Sequence, residues 1–357
     1  MRIIDNVTFQ EIDWDRLKKL PIEQFEAQFS FHGIVCQSMV MQEICQLIKK
    51  VSSSDVTVLI YGESGTGKEL VARNIHRLSR RAAKPFIPVD CNALPTSLME
   101  SELFGYEKGA FTGANSSKPG LLEYAEGGTF FLDELTNLDL NLQGKLLRVL
   151  QERVARRVGS TREVSVDVRI VAATNLNPQI ALKRNKLRLD LYYRLNVVPI
   201  HLPPLRERKE DIPLLLIYYS QKIAEKEGKK VRPFSKEAVE LLQSYHWPGN
   251  IRELKNIVER LQILCETREI RPDHVLKIAD IGNKLNSNHR DTKNILKYNE
   301  LRAKVLADFE RNYIQRLLRI ARGNISLATR ISGLTRPTIY RMVKEHLPNK
   351  NFRDFYS

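Results

Sequence analysis

The stretch "VTVLIYGESGTGKELVAR", residues 56–73, decides the fold. An uninterrupted apolar run predicts a buried strand at residues 56–61, and residues 68–79 predict a helix. The glycine-rich turn between them lets successive backbone N–H groups point at phosphate oxygens, and the helix N-terminus adds positive potential. A strand, this turn with its lysine, and a helix together predict a P-loop. The residues predicted to bind the nucleotide here are Gly62, Glu63, Ser64, Gly65, Thr66, Gly67, Lys68 and Glu69.

The position after the P-loop lysine usually carries the Ser or Thr that binds Mg²⁺, but this chain has Glu69 there. Another ligand or water must therefore complete the magnesium shell. The apolar strand predicted in "GGTFFLDE", residues 127–134, ends in Asp133 and Glu134. Asp133 can hold Mg²⁺ through water, while Glu134 can polarise the water that attacks ATP. An acidic pair is weak evidence alone, but it is strong evidence downstream of a P-loop.

Three further segments carry candidates for the same site. "VAATN" closes a predicted strand, and its Thr174 or Asn175 could bind the γ-phosphate or the attacking water, or could be a polar strand end. Arg188 and Arg194 in "LRLDLYYRLNV" could stabilise charge on the transferring phosphoryl group, or could be surface arginines. Arg252 in "WPGNIREL" could reach the nucleotide from a helix start, or could be solvated there while Asn250 caps the helix.

The pattern along the chain predicts a parallel α/β core, because apolar strands without polar alternation suit a sheet covered on both faces. The predicted strands are residues 56–61, 85–90, 127–134, 166–175 and 195–205. The predicted domains are a short N-terminal extension without a receiver domain (1–30), an α/β ATPase core (31–205), a helical lid (206–278), a polar linker (279–298) and a DNA-binding domain (299–357).

Composition narrows the functional class. The 357 residues include 57 Lys and Arg against 42 Asp and Glu, and this excess of positive charge favours a polyanionic partner. The four cysteines lack C-x-x-C spacing and are expected to be reduced thiols. Since no stretch approaches eighteen apolar residues, we expect a cytoplasmic protein without a membrane partner.

The basic C-terminus predicts a DNA-binding unit. "GNISLATRISGLTRPTIYRMVKEH", residues 323–346, is typical of two short helices, 325–331 and 336–345, with Gly333 in the turn. The apolar residues expected to face its core are Leu327, Ile331, Leu334, Ile339 and Val343. The second helix would enter the major groove of double-stranded DNA. The predicted DNA contacts are Thr335, Arg336, Thr338 and Arg341, with Lys344 near phosphate. The alternative is a basic helical hairpin used for packing.

Taken together, these motifs resemble the sigma-54-dependent transcriptional activators of bacteria, which are AAA+ ATPases. The segments that carry the resemblance are, in order, "GESGTGKELVAR", "ESELFGYEKGAFTGA", "GGTFFLDE", "LYYRLNVVPIHLPPLRERKEDIP" and "WPGNIRELKN". The hexapeptide "GAFTGA" between a P-loop and an acidic strand end is highly specific to this family. It consists of Gly109, Ala110, Phe111, Thr112, Gly113 and Ala114. Residues 323–346 resemble the Fis-type helix-turn-helix that ends such activators.

The resemblance implies roles for these residues. The "GAFTGA" loop would contact sigma-54 in the RNA polymerase closed complex, with Phe111 as the apolar contact. Thr174 and Asn175 match the first sensor and Arg252 the second. Arg188 and Arg194 match arginine fingers that complete a neighbouring subunit's site, so a homo-oligomer from dimer to hexamer is implied. Many relatives carry Asn where this chain has Asp90, and an Asp there would repel Glu134.

The predicted function is therefore that of a sigma-54-dependent transcriptional activator. It would bind enhancer-like DNA, form a ring, and use ATP and Mg²⁺ to remodel the closed complex of the sigma-54 holoenzyme into an open one. A DNA-binding repressor that has lost remodelling is the second reading, and the intact "GAFTGA", acids and arginines argue against it. A helicase loader or protein unfoldase is the third, but it explains neither the loop nor the C-terminus. With about thirty residues before the ATPase, control by a separate regulatory protein or by expression level is expected.

Overall fold

The computed structural model describes residue 17 and residues 20–278, 313–321 and 324–346. The chain divides into two compact units, Met1–Gly282 and Asn283–Ser357. The predicted core and lid thus fall within one unit. The predicted linker, 279–298, lies outside the described residues, as do residues 1–16 of the predicted N-terminal extension.

The first unit consists of short strands and helices that alternate along most of its length. The strands are β1 (Ser30–Phe31), β2 (Ile34–Val35), β3 (Val58–Tyr61), β4 (Phe86–Asp90), β5 (Gly105–Tyr106), β6 (Lys118–Pro119), β7 (Thr129–Asp133), β8 (Val154–Arg156), β9 (Glu163–Ser165), β10 (Arg169–Thr174) and β11 (Val198–His201). The helices are α1 (Ile22–Phe29), α2 (Met39–Ser52), α3 (Lys68–Arg77), α4 (Thr96–Phe104), α5 (Leu121–Tyr124), α6 (Leu140–Glu152), α7 (Pro178–Lys183), α8 (Leu189–Leu195), α9 (Asp211–Glu227), α10 (Lys236–Ser244), α11 (Asn250–Leu264) and α12 (Pro272–Ile278).

A parallel five-stranded sheet in the order β11-β3-β10-β7-β4 forms the centre, which confirms the predicted fold class. All six residues of β10 are buried, because helices cover both faces of the sheet. One of the six is charged. Arg169 donates hydrogen bonds to the carbonyls of Val51 and Ser52 at the end of α2, so a buried guanidinium completes that helix terminus. The predicted strands are all present, each shorter than its apolar pattern by one or more residues.

The parallel arrangement places the carboxyl ends of the strands at one edge of the sheet. In register, Thr174 of β10 pairs with Tyr61 of β3, and Asp133 of β7 pairs with Asp90 of β4. The P-loop follows β3, and the acidic pair ends β7. This topology therefore brings three predicted segments of the nucleotide site together, although they are far apart in sequence.

Two antiparallel hairpins extend from the core. Strands β5 and β6 flank the loop that contains "GAFTGA", and β8 pairs with β9 in a second hairpin. A single bridge between Tyr106 and Val158 joins the two hairpins. The "GAFTGA" loop thus begins on one hairpin and is supported by the other.

The N-terminal helix α1 packs on the lid helix α9. Phe25 is fully buried and stacks on Tyr218 with ring centroids 6.3 Å apart. Glu26 forms an ion pair with Lys222 at 3.1 Å, and the Gln221 side chain donates to the carbonyl of Leu20. Part of the predicted N-terminal extension is therefore an ordered component of the ATPase unit.

The second unit contains α13 (Ile325–Ser332) and α14 (Arg336–His346), preceded by helical residues 313–320. Gly333 between them has φ +69°, the left-handed conformation that the predicted turn requires. The buried residues of this unit are Ile314, Leu317, Leu318, Ala321, Ala328, Ile339, Met342 and Val343.

Two of the predicted core residues of this unit are wrong. Leu327 is 38% exposed and Ile331 is 50% exposed, because α13 turns Ala328 rather than these two side chains toward the core. The hydroxyl of Thr329 donates to the carbonyl of Ile325, which satisfies a polar side chain within the helix. Across the described parts of both units, no helix is long and apolar enough to cross a bilayer.

Candidate nucleotide and partner sites

The lysine of the P-loop folds back and binds the backbone of the same loop. Lys68, the first residue of α3, is 6% exposed, and its Nζ donates to the carbonyls of Gly62 and Glu63 at 3.0 and 3.3 Å. Gly67 precedes it with φ +106°, a conformation that disfavours a side chain. The turn thus brings the lysine ammonium back over the backbone that would surround phosphate oxygens.

The acidic pair lies beside this lysine. The Glu134 carboxylate is 3.4 Å from Lys68 Nζ and accepts a hydrogen bond from the backbone N–H of Asn175 at 3.0 Å. Glu134 itself is left-handed, with φ +55°, directly after β7. The start of α3, the end of β7 and the residue after β10 therefore meet at the Glu134 carboxylate.

Asp133 provides the second carboxylate. Burial and the neighbouring Glu134 carboxylate raise the pKa of Asp133 above its usual range, while Lys68 acts in the opposite direction. Mg²⁺ usually keeps several waters and takes one or two carboxylates together with substrate phosphates. Two adjacent carboxylates at a phosphate-binding turn fit that preference, with Asp133 as the residue that would hold the ion. The Glu69 carboxylate lies elsewhere, because it pairs with Arg73 on the exposed side of α3.

The two candidate sensor residues differ in surroundings. Thr174 is fully buried, and its hydroxyl is 3.0 Å from the hydroxyl of Thr136. Asn175 is exposed one residue later, beside Glu134. The geometry favours Asn175 as the group that would meet the nucleotide and gives Thr174 an internal structural contact.

Helix α11 of the lid closes over the P-loop. Arg252 donates to the Ser64 hydroxyl at 2.9 Å, and the N–H of Ile251 donates to the carbonyl of Gly65 at 3.0 Å. A Cβ atom on Gly65 would lie 2.4 Å from the carbonyl oxygen of Gly249. Lid and P-loop thus touch backbone to backbone. Arg252 is thus exposed and at the same time hydrogen-bonded to the P-loop.

The sequence interpretation missed the residues that fasten this contact. Asn250 is fully buried, accepts from the N–H of Leu205, and donates to the carbonyl of Ser64. Arg206 binds both carboxylate oxygens of Glu63, at 2.6 and 2.8 Å, which lowers the pKa of that carboxyl group. The sequence signal for these contacts was "RER", residues 206–208, which follows the last strand. Its two arginines bind different residues of the P-loop.

The third arginine of this region is buried. Arg208 is 1% exposed and donates to the carbonyl of Thr66 at 3.0 Å. It also lies near Asp211, the first residue of α9, whose pKa is raised by burial despite hydrogen bonds from residues 37 and 38. The buried guanidinium of Arg208, a residue of the lid, therefore supports the backbone of the P-loop.

The predicted arginine fingers lie on the surface. Arg188 precedes α8 and pairs with Asp190 at 2.7 Å, and Arg194 is exposed in the last turn of that helix. The large apolar side chains of Leu189 and Tyr193 between them are 57% and 70% exposed. This surface combines two cations with apolar area in the way that a protein contact would use.

The "GAFTGA" loop has a closed base and an exposed tip. The N–H of Gly109 donates to the carbonyl of Ala114 at 2.9 Å. Phe111 is 44% exposed and meets the ring of Tyr106 edge-on at 5.0 Å. Thr112 and Gly113 are also exposed. The loop thus presents an aromatic ring and a hydroxyl to an external partner.

Of the predicted DNA-contact residues, Thr335, Arg336 and Arg341 are exposed, and Thr338 is half-buried. Thr335 caps α14, with its hydroxyl 2.8 Å from that of Thr338. Arg336 donates to the hydroxyl of Ser326, and Arg341 is exposed one turn further along. Lys344 is helical, and its side chain is not among the described ones.

Comparison with known proteins follows the same order of segments. A sigma-54 interaction domain matches residues 34–201, an AAA+ ATPase lid domain matches 206–293, and the Fis family of bacterial regulatory proteins matches 305–346.

Similar proteins were also found among curated sequences and solved structures. The transcriptional regulatory protein GlrR of Escherichia coli K12 is 43% identical over 88% of this chain and 68% of its own length. ZraR of Klebsiella oxytoca is 45% identical over 91% of this chain and 71% of its own length. The crystal structure of NtrX from Brucella abortus in complex with ATP has a TM-score of 0.64 and 35% identity, covering 91% of this chain and 72% of that one. With its P-loop, acidic pair and "GAFTGA" loop, the chain belongs to the sigma-54-dependent transcriptional regulators, with an AAA+ ATPase domain and a Fis-type helix-turn-helix.

Proposed function

We propose that this protein binds an enhancer-like DNA site, assembles into a ring, and uses ATP hydrolysis to convert the closed complex of sigma-54 RNA polymerase into an open complex. One observation carries the proposal. A nucleotide site with its lysine, its acidic pair and a lid arginine in contact is joined in one unit to an exposed "GAFTGA" loop. An ATPase without a remodelling role has no need for such a loop.

The chemistry assigns different tasks to neighbouring side chains. Lys68 exchanges its carbonyl partners for the β- and γ-phosphate oxygens of ATP. Glu134, held by the N–H of Asn175, orients the attacking water and takes up its proton. Asp133 would hold Mg²⁺ through water, and the ion would neutralise charge on the phosphates when bound. Arg252 follows the state of the nucleotide from the lid.

Arg188 and Arg194 are proposed to act on the site of a neighbouring protomer. Both are exposed in this chain, and the apolar Leu189 and Tyr193 beside them would be buried by a second copy. A cation that arrives from a neighbour stabilises the transition state only when the ring has formed. Assembly from dimer to hexamer would therefore switch on hydrolysis.

The second unit is proposed to dock α14 in the major groove. Arg336 and Arg341 would read base edges, Thr335 and Thr338 would contact bases or backbone near the helix start, and Lys344 would contact phosphate. Control is proposed to come from a separate regulatory protein, acting on a protein that resides in the cytoplasm.

Open-complex formation tests the proposal. Purified protein, sigma-54 holoenzyme, a sigma-54 promoter and ATP are combined, and melting is scored by the chemical reactivity of single-stranded thymines. We expect melting with ATP and none with a non-hydrolysable analogue. The matched variant Lys68→Ala should bind DNA and leave the promoter closed. Hydrolysis without melting at several sigma-54 promoters would contradict the proposal.

A further inference from the structure

Two arms of the chain lead from the acidic pair to the "GAFTGA" loop. The first arm leaves β4 and runs through α4 into β5, which enters the loop. The second leaves β7 through a 3₁₀ turn, Leu135–Asn137, and runs through α6 into β8. Both arms begin at the nucleotide edge of the sheet and end at the loop or its supporting hairpin.

The arms meet again at the loop. A Cβ atom on Gly159, in the β8–β9 hairpin, would lie 2.7 Å from the Cβ of Ala110. Nearby, Arg157 of the same hairpin pairs with Glu107 at the base of the loop at 3.1 Å. Displacement of one arm at this end therefore pushes on the other.

Between their ends the arms are separated by a groove of about 270 Å³. Phe104 at the end of α4 and Val149 of α6 contribute to its apolar lining, and the Lys145–Glu100 ion pair connects the two helices beside it. Core side chains of both helices, among them Leu103 and Leu146, belong to one hydrophobic cluster, so the contacts at the two ends add to a shared core.

At the nucleotide end, the arms are joined by the pairing of β4 with β7, and one hydrogen bond between side chains lies beyond it. The amide nitrogen of Asn137, on the second arm, donates to the amide oxygen of Asn92, on the first arm, at 2.7 Å. The N–H of Cys91, next to Asn92, donates to the carbonyl of Asp133, and the N–H of Asn137 donates to the carbonyl of Glu134. Each amide of the pair is thus one step from the acidic pair.

We propose that Asn92 and Asn137 are positioning residues that tie the two arms together beside Glu134, so that a change at the γ-phosphate moves both arms as one. The proposal rests on the remodelling function proposed above. The Asp90 carboxylate accepts from the N–H of Asn92 at 2.8 Å and so contributes to the shape of this turn.

A double-mutant cycle separates the hydrogen bond from the other effects of each substitution. Asn137→Ala removes the donor, and Asn92→Ala removes the acceptor. Neither alanine side chain can form a replacement hydrogen bond.

The readout is promoter melting per ATP hydrolysed, with the melting temperature of each variant as a check on folding. We expect each single variant to lower this ratio by about two- to tenfold, which corresponds to the net loss of one hydrogen bond. The double variant should lower it no further than either single variant does. Additive losses in the double variant, or no loss in any of the three, would overturn the proposal.

A second measurement needs no polymerase. Hydrogen–deuterium exchange of residues 105–119 is compared with and without the ATP analogue adenylyl imidodiphosphate. We expect the analogue to change exchange in wild type, and to have no effect in Asn92→Ala or Asn137→Ala. If the analogue left the hydrogen–deuterium exchange of the wild-type loop unchanged, the proposed role of Asn92 and Asn137 would be refuted. If the wild type melts no promoter but its loop still responds, the remodelling proposal fails while the positioning role stands.

Discussion

The P-loop and the "GAFTGA" loop both depend on glycines, but for different reasons. A Cβ atom on Gly65 would lie 2.4 Å from the Gly249 carbonyl, and one on Gly62 would lie 2.5 Å from the Leu202 carbonyl. Gly109 and Gly113 also have positive φ, at +84° and +102°, yet no described atom lies within 4 Å of a Cβ atom on either. At Gly62 and Gly65 the P-loop needs glycine for space, whereas the second loop needs its two glycines for backbone conformation alone.

This difference distinguishes the P-loop, whose conformation is fixed, from the "GAFTGA" loop, whose conformation can change. Backbone pressed against backbone leaves the P-loop a single conformation, which suits a site that must hold phosphate oxygens precisely placed. Open space around the tip of the "GAFTGA" loop lets it change conformation without a clash. Side-chain contacts at its base, such as Glu107 with Arg157, then decide where it points.

The largest test of this contrast is alanine in place of each type of glycine. Gly65→Ala should abolish ATP hydrolysis and cost about 3 kcal/mol or more of folding free energy, because its methyl group meets a carbonyl oxygen. Gly113→Ala should cost about 1 kcal/mol, from the positive φ alone, and leave hydrolysis intact. Thermal unfolding and phosphate release measure the two effects. Similar losses in both variants would remove the distinction.

The next test removes the aromatic ring at the loop tip. Phe111→Ala should abolish promoter melting while ATP hydrolysis continues, because the exposed ring offers apolar area to the polymerase and supports no core. Tyr124→Ala is the matched control, since its ring is 53% exposed outside the loop. Melting and hydrolysis are measured on the same preparations. A Phe111→Ala protein that still melts the promoter would disprove the contact role.

A smaller effect is expected from loosening the lid on the P-loop. Arg206→Ala should raise the KM for ATP by about three- to tenfold, because a bidentate charge-assisted contact with Glu63 is lost. Arg156→Ala removes a comparable pair with Glu163 on the β8–β9 hairpin and should leave the KM unchanged. Initial-rate kinetics decide the matter, and an equal shift in both variants would mean that the lid contact is dispensable.

The smallest effect concerns an orphaned amide in the helix that follows the P-loop. Asn74 is fully buried, and within the described part of the chain neither its Nδ2 nor its Oδ1 has a hydrogen-bond partner. Asn74→Ala should raise stability by about 1 kcal/mol, because an unsatisfied polar group leaves the interior. Gln143→Ala, where a buried amide donates to two carbonyls, should destabilise instead. Chemical denaturation would show both signs, and a loss of stability in Asn74→Ala would contradict this account.

The strands and the nucleotide site were predictable because their signals are local. A glycine-rich turn followed by Lys68 specifies its own backbone, and an apolar strand that ends in Asp133 specifies its position at the sheet edge. The resemblance in "GAFTGA" was likewise carried by six consecutive residues, and family matches confirm it.

The contacts that depend on tertiary neighbours were not predictable. Nothing local indicates that Asn250 binds two segments, or that the hydroxyl of Thr174 faces Thr136. Leu327 and Ile331 follow helical periodicity, yet α13 buries Ala328, since the rotation of a short helix depends on what it packs against. The roles of Arg188 and Arg194 stay predictions for the same reason, because a neighbouring chain would supply their partner.

The packing of α1 on α9 has a thermodynamic consequence. The lid carries Arg252 to the P-loop, and the same lid carries the surface that Phe25 and Glu26 occupy. Should α1 dock more tightly on a lid that ATP has closed, docking of the helix and closure of the lid would be linked equilibria, and linkage is reciprocal. Whatever free energy ATP contributes to seating that helix, a ligand that pulls the helix away must subtract from ATP affinity. A ligand of the first helix of the ATPase unit would in this way change ATP binding at the active site.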